Sequence, residues 1–180
     1  MSVAAGAPPQ QASARAEPAG DRAPPGCGCG VRLARVGSRV KRRVLFLCTA
    51  NAVRSQMAEG ILRHLAGERY DAASAGHRPT AVDPLAVDVL RERGVDISSQ
   101  RSKDVREFLG EEFDHVVTLC GDDAPGSCPF FPGGKRYVHV PFPDPAQEKG
   151  TEEERRAAFR RARDALWEWI VREFVEGGER

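Results

Sequence analysis

Val44-Leu45-Phe46-Leu47-Cys48-Thr49-Ala50-Asn51-Ala52-Val53-Arg54-Ser55-Gln56-Met57-Ala58-Glu59 is an apolar run that ends in a cysteine, followed six residues later by an arginine and then by a helical pattern. Val44 to Leu47 reads as a short strand buried on both faces. Met57, Ala58, Ile61, Leu62 and Leu65 recur at helical spacing. The loop between them therefore lies at a helix N-terminus, where unpaired backbone N–H groups and the positive end of the helix dipole attract a tetrahedral anion. The same field favours a thiolate at Cys48. Arg54 adds a planar fork that grips two oxygens of such an anion. The Cys-x5-Arg spacing is common by chance, so the order strand, loop, helix carries the reading.

The 180 residues suffice for one domain with a proper core, and a formal net charge of +1 argues against a broad nucleic-acid or membrane footprint. No apolar stretch has the length of a membrane span, and the N-terminus lacks the apolar centre of a secretory signal. The expected location is cytoplasmic. Five cysteines do not make a disulfide scaffold in a chain of this size; in a reducing compartment they are catalytic, redox-active or inert.

Residues 1–40 are rich in Ala, Pro, Gly, Gln and Arg without periodic apolar positions and read as a disordered tail. Cys27 and Cys29 fall in it and lack further ligands for a tetrahedral metal site, so they read as an incidental pair. The folded domain is expected over 41–178. Its strands are a first near Lys41, Tyr70 to Ser74, His115 to Cys120, and Tyr137 to Val140. Helices are expected from Ser55 to Ala66, from the Asp83-Pro84 cap to Gly94, around Lys103 to Leu109, and after the Thr151-x-x-Glu154 capping box, with Phe159, Ala162, Leu166, Trp169 and Ile170 inward. This alternation implies a three-layer, doubly wound α/β fold on a mostly parallel four-stranded sheet. In such folds ligands bind at the C-terminal strand ends, where Cys48, Cys120 and Asp144 all fall.

Cys120 and Cys128 are joined by a Gly- and Pro-containing loop that lets two thiols stand apart in one state and bond in another. A redox pair, a structural pair and a metal site with His139 are all open readings. Asp144 sits between Pro143 and Pro145, which stiffen its direction as an acid/base group requires. His64, His115 and His139 suit surface or core roles, whereas His77 follows Gly76 in a loop that could approach the site.

From about Val44 to Phe174 the chain resembles the thioredoxin-coupled arsenate reductases built on the low-molecular-weight protein tyrosine phosphatase fold. The resemblance rests on Cys48-Thr49-Ala50-Asn51 with Arg54-Ser55-Gln56-Met57-Ala58-Glu59-Gly60, on Ser74-Ala75-Gly76, on Asp96-Ile97-Ser98, on Val116 to Asp122 with Cys128-Pro129, and on Asp144-Pro145-Ala146 with Gly150 to Glu154. It implies that Cys48 attacks arsenate held by the loop Thr49, Ala50, Asn51, Ala52, Val53, Arg54 and Ser55, with Asp144 assisting the leaving oxygen. It also implies that Cys120 then attacks Cys48, that Cys128 attacks Cys120, and that thioredoxin reduces the resulting disulfide. Phosphate and sulfate are expected as competing anions, the chain as a monomer, and no cofactor as bound.

Ala50 stands where many relatives have glycine, Val53 where some have another cysteine, and the Cys120–Cys128 loop is one residue longer than in typical members. Where members bind potassium beside the loop, the ligands correspond to Asn51, Glu59, Ser74 and an acid whose position is Lys103 here, so Lys103 is expected to replace the ion. Two other functions remain open: phosphomonoester hydrolysis, which needs only Cys48, Arg54 and Asp144, and redox sensing through Cys48.

Overall fold

The computed structural model describes residues 40–121 and 130–177. Strand β1, Arg42–Cys48, has five consecutive buried residues, because it lies inside the sheet with both faces covered. Parallel partners flank it: β2, Tyr70–Gly76, on one side and β3, Phe113–Thr118, on the other, with β4, Gly134–His139, beyond β3. The order β2-β1-β3-β4 puts the reversal of winding between β1 and β3, so the crevice beyond the end of β1 is the topological switch point.

Helices α1, Arg54–Ala66, α2, Pro84–Arg91, and α3, Glu152–Ile170, pack over the face that carries Val44, Phe46 and Val117. The opposite face, Leu45 and Leu47, is covered by Phe113, Phe131, Val105 and Phe108. Asp83 caps α2 ahead of Pro84, and Thr151 with Glu154 forms the expected capping box of α3. Arg163, buried on α3, ties the two helices together by donating to the Val89 carbonyl at 2.7 Å and to Glu92 at 2.8 Å. His115 belongs to this framework: burial pushes its imidazole below the ordinary histidine value, and its ring stands edge-on to Phe174.

The expected helix over Lys103 to Leu109 is corrected to one 3-10 turn, Val105–Phe108. Residue 103 cannot be helical, because its N–H goes to the Asn51 side chain and its carbonyl to the Gly76 N–H. Asp104 instead starts the turn with a capping box to Glu107. The strands begin and end within three residues of their expected bounds, the largest difference being β4, which begins at Gly134 rather than Tyr137. No helix among the described residues is long and apolar enough to cross a membrane.

Candidate active site

Residues 49–53 carry the chain from the end of β1 into α1, and the carbonyls of residues 49–52 are each taken up by a donor outside the loop. Thr49 O accepts from Arg78 N at 3.0 Å, Ala50 O from Thr80 N at 3.1 Å, and Ala52 O from Asp83 N at 3.0 Å. Asn51 O accepts from Gln56 Nε2 at 3.0 Å. In a trans peptide the following N–H points opposite to its carbonyl, so this outward set turns the amides inward. Asn51 N meets the Cys48 sulfur at 3.2 Å, and Ser55 Oγ lies 2.9 Å from the same atom. Helix α1 adds to this field: among the described residues its N-terminus has no side-chain cap and no acid in the first turn, unlike the capped starts of α2 and α3. Its first N–H groups are thus left for a ligand.

Asn51 adopts φ +47°, a left-handed conformation that asparagine tolerates better than most residues. Its side chain is fully engaged. Nδ2 donates to Ser55 Oγ at 2.8 Å and Ser74 Oγ at 2.9 Å, while Oδ1 accepts from Lys103 N at 2.7 Å and Gln56 Nε2 at 2.8 Å. Ser74 passes the chain on to buried Glu59. Residues 100–104 run behind the loop as a strap, with Ser102 Oγ donating to Ala50 O at 3.0 Å and Gln56 to Arg101 O at 2.9 Å. The Arg106 guanidinium beside Asp104 holds that carboxyl down at about 2, and Arg101 does the same for Glu107, also to about 2. With both carboxyls depressed on folding, the pairs help hold the strap above the ordinary carboxylate range. They lose that contribution only as the pH falls toward about 2.

Arg54, only 6% exposed, joins three segments. Nη1 donates to Leu119 O at 3.3 Å and Phe142 O at 2.9 Å, and Nη2 pairs with Asp144 at 3.0 Å. Asp144 is itself fixed by accepting from Ala146 N at 3.2 Å. Cys48, Ala50, Ala52, Val53, Arg54 and Asp144 line one cleft of about 500 Å³, whose wall also includes residues 80–84. Cys120 follows β3 as a buried thiol, its sulfur 3.9 Å from Thr49 Oγ1. The fold thus brings Cys48, Arg54 and Asp144 to one cleft, while Cys120 lies beside Thr49 of the loop and does not line that cleft.

Cys128, Cys27 and Cys29 lie outside the described residues. His77 does not line the cleft, and His64 and His139 are exposed, with His139 paired to Thr118 Oγ1 at 2.9 Å. Lys103 turns inward: its ammonium donates to Glu59 Oε2 at 3.1 Å and to Arg101 O at 3.2 Å, and its side chain is 13% exposed. A cation between the same oxygens would meet that ammonium, so these residues do not fit a bound potassium ion. No group of three or more His, Cys, Asp or Glu able to hold a metal occurs among the described residues.

The site also uses residues that periodicity does not single out: Gln56, Gly76, Ser102 and the backbone of 78–83. Gln56 and Gly76 had a signal, since they fall in the motif stretches Arg54 to Gly60 and Ser74-Ala75-Gly76. Ser102 and residues 78–83 act across the fold.

A family model described as low molecular weight phosphotyrosine protein phosphatase matches residues 43–168. An arsenate reductase of Halalkalibacterium halodurans is 45% identical over 139 residues, covering 77% of this chain and 99% of that protein. Among solved structures, an arsenate reductase in the phosphate binding state aligns with a TM-score of 0.60 at 26% identity, over 75% of this chain and 98% of its own. A low molecular weight protein tyrosine phosphatase from T. tengcongensis aligns with a TM-score of 0.59 at 26% identity, over 76% and 99%. The matched stretch runs from β1 nearly to the end of α3 and contains the whole cysteine–arginine loop, so the chain belongs to the low molecular weight phosphotyrosine protein phosphatase family.

Proposed function

We propose that this protein reduces arsenate to arsenite and is returned to its starting state by thioredoxin. The observation that carries the reading is the second buried thiol, Cys120, beside the anion loop that holds Cys48. A phosphatase has no use for it. The likeness to the Halalkalibacterium halodurans arsenate reductase, over nearly all of that protein, supports the same choice.

In this reading arsenate enters the cleft with its oxygens on the amides of residues 49–55 and on Arg54. The Cys48 thiolate forms an S–As bond as one oxygen leaves as water, with Asp144 delivering the proton. Cys120 then attacks the Cys48 sulfur. The electron pair of the S–As bond passes to arsenic, which departs as arsenite, and a Cys48–Cys120 disulfide remains. Cys128 displaces Cys48 from Cys120, and the dithiol of thioredoxin reduces the Cys120–Cys128 bond. Thr49, whose hydroxyl is near the Cys120 sulfur, is placed to orient that thiol. The working unit is the 41–178 domain, acting as a monomer in the cytoplasm, with phosphate and sulfate as competitors and no nucleic-acid or membrane partner.

The test is NADPH consumption coupled through thioredoxin and its reductase, with and without arsenate, beside hydrolysis of an aryl phosphate. Arsenate-dependent consumption is expected; aryl phosphate hydrolysis alone would replace this reading by the phosphatase one. Cys128→Ser should give about one arsenite per molecule and then stop, because the first disulfide still forms but cannot be handed on. Repeated thioredoxin-coupled turnover by Cys128→Ser would refute the relay.

Lys103 takes the part that a cation plays in potassium-binding members. Its ammonium partly neutralises Glu59, and its backbone N–H orients Asn51. Exchanging potassium for sodium at constant ionic strength should leave turnover and melting temperature unchanged, whereas Lys103→Asp should acquire a potassium response. A potassium-dependent rise in the melting temperature of the unmodified protein would refute this assignment.

A further inference from the structure

Four successive carbonyls face out of the cleft, but they are not held alike. Those of Thr49, Ala50 and Ala52 are fixed by main-chain N–H groups of Arg78, Thr80 and Asp83, which no substitution other than proline removes. That of Asn51 is held by one side chain, Gln56. This peptide, between Asn51 and Ala52, adjoins the residue with φ +47°. We infer that Gln56 is the positioning residue that keeps the Asn51–Ala52 peptide turned with its N–H toward the bound oxyanion. The inference rests on the oxyanion reading of the loop and goes beyond it by naming what sets the loop's competence.

Gln56 is fully buried, and its Nε2 meets three acceptors: Asn51 O at 3.0 Å, Asn51 Oδ1 at 2.8 Å and Arg101 O at 2.9 Å. Its Oε1 is buried with no hydrogen-bond partner among the described residues. The orientation of the amide follows, because exchanging its ends would set an oxygen against three oxygens. An unpaired buried carbonyl is costly, so a side chain kept here despite it is worth more for its two N–H groups than for its own balance. Those donors grip both the main chain and the side chain of the left-handed residue and tie them to the strap. Without them, the nearest change open to the peptide is to rotate, which would turn a carbonyl toward the anion and its N–H away. One oxyanion donor would be replaced by a repulsive acceptor. The Asn51 N–H that contacts Cys48 belongs to the preceding peptide, whose carbonyl is fixed by Thr80 and Ser102. Rotation should therefore weaken anion binding and leave the sulfur's contact in place.

The experiment uses the reduced full chain, with sulfate as the probe because it stays a dianion throughout, and follows the alkylation rate of Cys48 by iodoacetamide alongside. Gln56→Leu should raise the sulfate Kd about tenfold or more while the alkylation rate stays within about twofold. Gln56→Glu should bind sulfate poorly at about pH 8 and recover toward the unmodified protein at about pH 5, relative to that protein at each pH, because only the protonated carboxyl donates to Asn51 O. A Gln56→Leu protein with unchanged sulfate affinity would overturn the inference. So would a flat ratio for Gln56→Glu, or a loss of alkylation in step with affinity, which would mark general collapse of the loop. If the unmodified protein itself failed to bind sulfate, the oxyanion reading would fall and this inference with it.

Discussion

A Gly76→Ala protein should lose about two orders of magnitude in arsenate turnover and several degrees of melting temperature. The end of β2 passes directly under the catalytic loop, and a Cβ at this position would stand 2.6 Å from Thr49 O, 2.8 Å from Asn51 N and 3.0 Å from Cys48 O. All three neighbours are backbone, so no flexible side chain can swing aside. Either β2 leaves its register with β1, in which Gly76 pairs with Cys48, or the loop lifts off the sheet. Overpacking of this kind costs about 1–3 kcal/mol. The kinetic loss is the larger effect, because a displacement of about 1 Å in the loop moves the amides, Asn51 and the sulfur together. Steady-state kinetics and calorimetry of the one variant check both parts, and unchanged values in both would mean that the loop does not rest on β2 in solution.

Cys48→Ser should abolish reduction, by at least about 10⁴-fold, the scale on which removal of an enzyme nucleophile acts. A serine hydroxyl is not ionised in this loop, so no bond to arsenic forms. Sulfate or phosphate should nevertheless bind as well as before or more tightly, since the amides and Arg54 remain and a negative sulfur is gone. Coupled NADPH oxidation reads the first effect and titration calorimetry the second. Residual turnover near that of the unmodified protein would place the chemistry on another cysteine. A loss of anion binding together with turnover would show that the sulfur organises the pocket as well as reacting in it.

The local sequence carries the part of the site that local geometry builds. Cys48, Arg54 and Ser55 belong to one strand–loop–helix unit, so their spacing alone brings them to one turn of chain. The caps Asp83 and Thr151 act on N–H groups two or three residues away and are legible for the same reason. Alternation of strands and helices was enough for a parallel α/β sheet and its ligand-bearing edge. The expected helix at Lys103 failed where a distant demand prevailed: Asn51 and Gly76 claim the backbone of that residue, and a helix cannot satisfy them.

What this chain determines through its sequence alone is therefore the cysteine–arginine loop between strand and helix, the order of its elements and the end of the sheet where they converge. Only the tertiary structure decided the direction of the loop's peptides, the inward turn of Lys103 onto Glu59, the approach of Cys120 to Thr49 and the span of Arg54 from Leu119 to Asp144. Periodicity and capping speak of neighbours within about one helical turn, whereas most of the donors that turn these peptides come from positions far along the chain. They meet the loop because β1 is paired on both sides and because residues 78–83 and 100–104 must cross the end of the sheet beside it.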